Sequence, residues 1–487
     1  MPTDFVSADE AKLEWTDGEG KLRAIYLLWG DRVEVVQTSG ATTTVRARGR
    51  TGTVRASALG GSALLELYFI DVGQGDGVLI RTPDGRNVLI DAGFPRSKQA
   101  TGKNAADFVD WKFVKDDRKT NVELDAMIVS HNDEDHYGGL SDLLAEEADT
   151  GIDELDAQDV TVERFYHAGL SWWDGPTGRT LGPTAEVAGE DHWSRLLEDR
   201  ASVERALDGS ANPQLAGAWK TFFERVRATK TKNGNPTMIA RLSQKTRHLP
   251  GFEPANGKAS IRVLGPVERT AAGKPSLRRF AGTDSKQTNG HSVLLRVDYG
   301  RARILLTGDL NAAAQRTLLE EYAGSTQELE CDVAKACHHG SEDVSYRFLQ
   351  AMRPAVTVIS SGDNEGHDHP RPNIVAASAT TGFLQLDGDE LVSPLIYSTE
   401  LARSVDLGRI EKISVAAAGG SIDVKGKALR DAKIEAGDSV RKAHRARMVT
   451  NVIYGLVNVR TDGDRILCAT RNEGKPDWQI REIRSRF

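Results

Sequence analysis

Between Leu65 and Gly362 the apolar residues fall in short, nearly unbroken runs that end on polar or glycine positions: LELYFID, GVLIRT, NVLIDAG, DAMIVSH, ASIRVLG, SVLLRVDYG, ARILLTGD, CDVAKACHH and AVTVISSG. Runs of this length without strict alternation predict strands covered on both faces. The helix-patterned GGLSDLLAEE follows one of them, and strands alternating with helices predict an α/β layered domain over residues 63–400. Ahead of it, LRAIYLLWGDRVEVVQ, TTTVRARG and RTGTVRAS are rich in β-branched residues and separated by Gly, Asp and Ser. They predict strands joined by tight turns, a small β-barrel over residues 1–62, with an extension of the next domain as the alternative. Residues 141 to about 258 are more polar and mostly helix-patterned, as in HWSRLLEDRASVERAL and AWKTFFERVRATK, and read as an insertion. The segment MVTNVIYGLVNVRTDGDRILCATR predicts a hairpin within a β-rich appendage over residues 401–487.

Composition narrows the class. A chain of 487 residues with 39% hydrophobic and 27% charged residues is a multi-domain globular protein, not a collagen-like or disordered one. The 63 Lys+Arg against 70 Asp+Glu leave a net charge of -7, so no global positive field recruits a polyanion, which would need a local basic groove or a metal site. Cys331, Cys337 and Cys468 form no CxxC and are odd in number, which fits reduced thiols and a cytoplasmic location. The start, MPTDFVSADEAKLEW, has no signal-peptide core, and no stretch approaches the ~18 apolar residues that span a bilayer, so no membrane partner is expected.

Six of the eleven histidines lie in three segments, His131 and His136, His338 and His339, His367 and His369, each after a run read as a strand. In HNDEDHYGG, His131, Asp133, Asp135 and His136 set four donors on one loop, which lets a single turn face two adjacent cations; a charged surface turn is the alternative. Cys337 reads as a buried thiol, because alternation points it away from the residue that follows. Ser341 reads as the cap of the next helix, with Glu342 and Asp343 in its first turn, and no Ser-His-Asp arrangement is present. The Trp172-Trp173 pair would stack on a base or belong to the core. The run Arg441, Lys442, Arg445 and Arg447 reads as a solvated helix face, with phosphate contact as the alternative.

These segments resemble the metallo-β-lactamase superfamily, whose His-x-His-x-Asp-His signature appears here with Asp133 in place of the second His. They are most similar to the soluble hydrolase domain of ComEC-type competence proteins, through FIDVGQGDGVLI (69–80), LIDAG (89–93), SHNDEDHYGG (130–139), LLTGD (305–309), HHGS (338–341) and ISSGDN followed by His369-Pro370. The resemblance runs from about residue 65 to about 400. It implies an αβ/βα sandwich of two mixed sheets with outer helices and a metal cluster at one end. It further implies that His131 and Asp133 hold a first metal, Asp135 and His136 a second, that Asp309 bridges them, and that His338 or His339 completes the second site. Asp91 would orient the ligand loop without touching metal. The family's third motif falls on TNGHSVLL, where Thr288 or Asn289 replaces a histidine; His291 nearby reads as packed or solvent-facing, with ligation the alternative. His369, with Asn364 and His367 ahead of it, would meet substrate and donate to a phosphoryl oxygen or a leaving group, or else form a turn fixed by Pro370 and Pro372. The N-terminal GDRVEVV and VRARGRTGTV resemble a bacterial SH3-like domain, implying a protein partner for the barrel.

A carboxylate at position 133 hardens the donor set and favours manganese or magnesium, with zinc remaining open. Two divalent ions about 3.5–4 Å apart activate water and clamp the attacking and leaving oxygens of a displacement at phosphorus. The expectation is a dinuclear phosphodiesterase, a nuclease on DNA or RNA, with backbone contacts from Lys220, Arg225, Arg227, Lys230 and Lys232. One alternative is a phosphorylcholine-esterase-like or other small-molecule phosphodiesterase. A non-enzymatic interaction protein with a degenerate metal site is the other, favoured by the missing third-motif histidine. The ComEC-type relatives also carry a membrane channel that this sequence does not show, so a DNA-uptake role is not carried over.

Overall fold

The computed structural model describes residues 2–99, 104–145, 159–362, 369–399, 412–417, 420–425, 455–471 and 477–487. Two mixed sheets stack face to face. The larger has nine strands, in the order Met238–Arg241, Arg164–His167, Ala126–Ile128, Asn87–Ala92, Gly77–Arg81, Leu65–Phe69, Val457–Thr461, Arg465–Arg471 and Trp478–Arg484. The smaller runs Ser260–Gly265, Leu294–Tyr299, Ala302–Leu306, Val333–Lys335, Val356–Ile359, Leu395–Ser398.

The unbroken apolar runs explain the layering, since a strand with both faces covered needs no polar alternation. In Leu65–Phe69, Leu67 and Phe69 join Ile80, Ile90, Val263, Leu295, Ile304 and Val358 in the core between the sheets. Tyr68, one residue out of phase, joins the outer core beneath the helices Ala105–Asp110, Glu134–Leu143, Arg200–Leu207 and Gly217–Ala228. Across the molecule, Leu305 and Ala334 face outward against the helices Ala312–Glu321 and Tyr346–Met352. The result is the αβ/βα metallo-β-lactamase sandwich.

The N-terminal strands form a separate six-stranded antiparallel sheet around Val6, Leu13, Leu27, Val33, Val45 and Val54. Two elements depart from the sequence reading. The segment 141–258 is not mostly helical: among its described residues beyond the helix that ends at Leu143, α-helix is confined to Arg200–Leu207 and Gly217–Ala228. Strands Arg164–His167 and Met238–Arg241 extend the main sheet in parallel, and the rest is largely exposed hairpins whose polar faces hid their strand character. The tail is no hanging appendage either. Val457–Thr461 pairs antiparallel with Leu65–Phe69, so the last strands complete the large sheet and its core with Val457, Val459 and Ile466. A strand far away in sequence covers an edge that would otherwise be open. The run Arg441 to Arg447 lies outside the described residues. All three cysteines are free and buried, and no described helix is long and apolar enough to cross a membrane.

Candidate metal centre

The site lies where strands run out at one end of the sandwich. Strand Ala126–Ile128 leads through Ser130 and His131 to Asp133, which holds the cap position of helix Glu134–Leu143 but makes no side-chain cap bond, so its carboxylate faces the centre instead. Asp309 follows Ala302–Leu306, and the paired histidines follow Val333–Lys335. His338, His339 and Asp91 have φ of 47°, 52° and 54°. Left-handed backbone at non-glycine residues costs about 1–3 kcal/mol each and concentrates at functional sites. Gly75, at φ 115°, gives room for the Asp135 carbonyl, where a Cβ would collide.

Four donors converge. Nε2 of His339 is 3.0 Å and Nε2 of His136 is 3.4 Å from Oδ2 of Asp309, while Asp135 carboxylate oxygens lie 3.7 and 3.9 Å from the same two nitrogens. One donor atom from each of Asp135, His136, Asp309 and His339 lies within 4.8 Å of all the others. The far ring nitrogens are anchored: Nδ1 of His136 meets Oδ2 of Asp91 at 2.9 Å, and Nδ1 of His339 meets the Ser360 carbonyl at 3.0 Å. Asp91 also accepts from the Ser130 backbone N–H at 2.7 Å. Nδ1 therefore bears a proton in both rings, and each buried Nε2 faces carboxylates without a well-aligned hydrogen-bond partner, a position from which it could ligate a metal that displaces its proton. That donor set fits a divalent cation.

Without an ion, protons take up part of its role. Burial opposes charge on His136 and His339, yet the Asp309 carboxylate, with Asp135 and Asp91 for His136 and with Asp76 for His339, holds both well above the usual histidine range. Burial and the neighbouring Asp135 push Asp133 up to about 7. Burial and His136 push His131 down to about 3, leaving a neutral imidazole able to ligate.

Around this group sit the other expected donors. Nε2 of His131 is 3.8 Å from Asp133, and Nε2 of His338 is 3.8 Å from Asp309, against 3.0 Å for His339. Asn289, at the third-motif position, turns its amide nitrogen to Asp133 at 3.1 Å and its oxygen to Nε2 of His338 at 3.2 Å. It thus links the flank without supplying an imidazole. His291 points away, with Nε2 on the Arg278 carbonyl at 2.8 Å and its ring stacked on Phe280. His369 is buried with its ring 5.6 Å from that of His338, while Asn364 and His367 lie outside the described residues.

Several readings change. Ser341 does not cap the next helix: its hydroxyl accepts from the Asp343 N–H at 3.3 Å, and Ser345 holds the cap position of Tyr346–Met352. Cys337 is buried, its thiol pushed up to about 11 by burial. Trp172 and Trp173 are both core, and Trp172 donates to the Asn132 carbonyl at 2.7 Å, bracing the ligand loop. Helix Gly217–Ala228 turns Trp219 and Phe222 onto Tyr137 of the ligand helix, and its Arg225 donates to the Ser141 carbonyl. Lys220 is held by Gln214, and the Lys232 backbone N–H by Glu163.

Two residues of the centre escaped the sequence reading. Lys335 is buried, bonded to Asp76, 3.0 Å from the Gly308 carbonyl and 3.5 Å from Asp309. Asp76 also lies 3.2 Å from Nδ1 of His339. The available signals were a lone lysine in the apolar run DVAKA and an acid opening the strand of VGQGDG.

The fold is that of the metallo-β-lactamase superfamily, whose family model matches residues 70–152, and the donor set at its end could hold a metal ion. Among curated proteins the chain is 40% identical over 83 residues to Competence protein ComA of Neisseria gonorrhoeae, and 28% identical over 93 residues to ComE operon protein 3 of Bacillus subtilis (strain 168). The matches cover 17% and 19% of this chain and 12% of each relative, so the chain spans only a small part of their length. Among solved structures, Tm1679, a metal-dependent hydrolase of the beta-lactamase superfamily, aligns over 71% of this chain and 100% of its own at 13% identity and a TM-score of 0.31. A point mutant of the CmlA beta-hydroxylase aligns over 66% of this chain and 51% of its own at 11% identity and a TM-score of 0.29.

Proposed function

We propose that this protein is a phosphodiesterase that takes two divalent ions, manganese or zinc, and cleaves nucleic-acid phosphodiesters. The observation that carries this reading is the charge balance of the centre. Asp76, Asp91, Asp133, Asp135 and Asp309 bring five carboxylates into one buried or half-buried cluster, against one fixed ammonium, Lys335. With His136 and His339 neutral, as ligation would require, the five carboxylates and Lys335 leave a formal charge that two divalent ions would neutralise; without metal, protons on the two rings offset part of it. When bound, such ions supply an activated water and electrophilic stabilisation of a phosphoryl group. Asp135, His136, Asp309 and His339 would hold one ion; His131, Asp133 and Asp309, with His338 beside them, would hold the other. Asp91 fixes the tautomer of His136, and Lys335 holds Asp76 and Asp309 in place. Arg179, exposed and 3.9 Å above the Trp172 ring, stands beside the ligand loop, where a guanidinium can fork onto a phosphate. His369 would donate a proton to the leaving oxygen.

The test is reconstitution with manganese or zinc, elemental analysis, and turnover of bis-p-nitrophenyl phosphate and an oligonucleotide against a β-lactam and a thioester. Two equivalents of metal and preference for the phosphodiesters are expected. A single equivalent, or a lactam or thioester as the better substrate, overturns the reading.

A further inference from the structure

A second cavity, of about 300 Å³, opens between the N-terminal sheet and the sandwich, at the other end of strand Gly77–Arg81 from the metal centre. Asp76 belongs to that centre and Arg81 lines the cavity, so five extended residues, ~17 Å, separate the two sites. Charge dominates the lining, but most of it is committed. Asp31 is paired with Arg48 and Arg460, Asp117 with Arg81, and Asp116 with Lys112. Glu66 is bonded to Tyr68 and faces Arg460.

What remains is one-sided. Arg32, Arg46, Arg50 and Arg118 line the cavity, and none has a carboxylate within ion-pair distance among the described residues. Arg32 touches only the Thr3 hydroxyl, at 3.3 Å, and Arg50 lies over the Trp15 ring. Glu34 is the single lining carboxylate without an ionic partner among the described residues. These arginines, Arg50 being engaged with Trp15, set against the unpaired Glu34 leave an excess of positive charge at the recess on a chain whose net charge is -7. Like charges gathered around a concave wall repel unless an anion joins them, and planar guanidinium forks match the oxygens of a phosphoryl group. A monocarboxylate would leave most of that charge unanswered. The volume is at the lower end of small-molecule sites, and Phe5, Leu64 and Pro83 add an apolar wall.

We infer that this recess binds a small molecule carrying a phosphomonoester or diphosphate group, through Arg32, Arg46, Arg50 and Arg118, independently of the metal centre. Because the recess lies between the N-terminal sheet and the catalytic fold, an occupant ties the two together.

Calorimetric titration of the full chain in excess EDTA, at constant ionic strength, with inorganic pyrophosphate and with adenosine 5′-monophosphate tests this. Saturable binding of at least one probe is expected. Arg46→Gln/Arg118→Gln should weaken it at least about tenfold, the loss of a charge-assisted hydrogen bond, at an unchanged melting temperature. Arg32→Gln/Arg50→Gln should weaken it likewise and stands in if the first pair impairs folding. Asp309→Ala should leave it unaltered. No saturable binding of either probe, wild-type affinity in both double variants, or loss of binding in Asp309→Ala overturns the inference.

Discussion

At one end of strand Gly77–Arg81, Asp76 joins a cluster in which five carboxylates meet one lysine and the facing imidazole nitrogens of His136 and His339 have no hydrogen-bond partner. At the other end, Arg81 joins a network in which charge is closed. Fully buried Arg460 binds Asp31 at 2.7 Å, the Trp29 carbonyl at 2.7 Å and Asn458 at 3.0 Å. Arg48 takes the other Asp31 oxygen at 2.7 Å, and Arg81 meets Asp117 at 2.7 Å. Both clusters sit in low dielectric, where an uncompensated charge is costly. The network carries its own cations on fixed guanidiniums and so staples the N-terminal sheet, the last strands and the sandwich together. In the proposed function, the centre would leave that role to ions from solution.

Removing the fixed cation should have the largest effect. Arg460→Met strands Glu66 and half of Asp31 in the interior, and a loss of about 3–5 kcal/mol in denaturant unfolding is expected, with turnover per folded molecule retained. A loss near zero would mean that the closed network contributes no stability. Asp309→Ala should act on the centre instead. It removes the carboxylate that both imidazoles face, so bound metal should be lost and turnover should fall more than about 100-fold, ~2.7 kcal/mol of barrier. Elemental analysis and rate measurement check this, and a variant keeping a tenth of the activity would remove Asp309 from the centre.

Asp91→Asn keeps the shape of the carboxylate beside His136 but weakens its hold on the Nδ1 proton. Competition with a chelator should show metal affinity reduced up to about 100-fold, with little change in unfolding. Acid gives the smallest effect and separates both clusters from the rest of the interior. His167 is buried beside Arg241 and pushed down to about 3 by burial and that charge. Its folded value is depressed below the unfolded ~6.5, so the unfolded chain binds the proton first; this stability is complete above about pH 6.5 and lost as pH falls. At pH 5.5 His167 should account for about 1.4 kcal/mol of the loss in urea unfolding, read as the difference in pH slope between the wild type and His167→Phe. Arg460 and Arg48 hold the Asp31 carboxyl, despite its burial, well below its usual range, so the closed network stays charged throughout this window.

Pattern and spacing made the strands of the metal-bearing core legible, because apolar runs ending on His or Asp are local features. HNDEDHYGG and LLTGD could be singled out without coordinates for the same reason. The choice between His338 and His339 was not local: it depends on two left-handed residues that turn adjacent rings to different partners, one to Asn289 and one to Asp309. Nor was the inclusion of Asp76 and Lys335, whose meeting needs strands from both sheets to end at the same level. The helical reading of 141–258 failed because exposed hairpins lack the alternation that marks a half-buried strand. The tail misled for a related reason: its hairpin was visible, but the open edge beside Leu65 that it covers belongs to residues nearly 400 positions earlier. What the amino-acid sequence determined alone was which donors exist and which end of a strand each occupies, since periodicity and motif spacing act over a few residues. Which donors share an ion, which carboxylates are already answered by arginine, and where free guanidiniums gather were decided by tertiary structure, because charge compensation depends on distance in space and on burial.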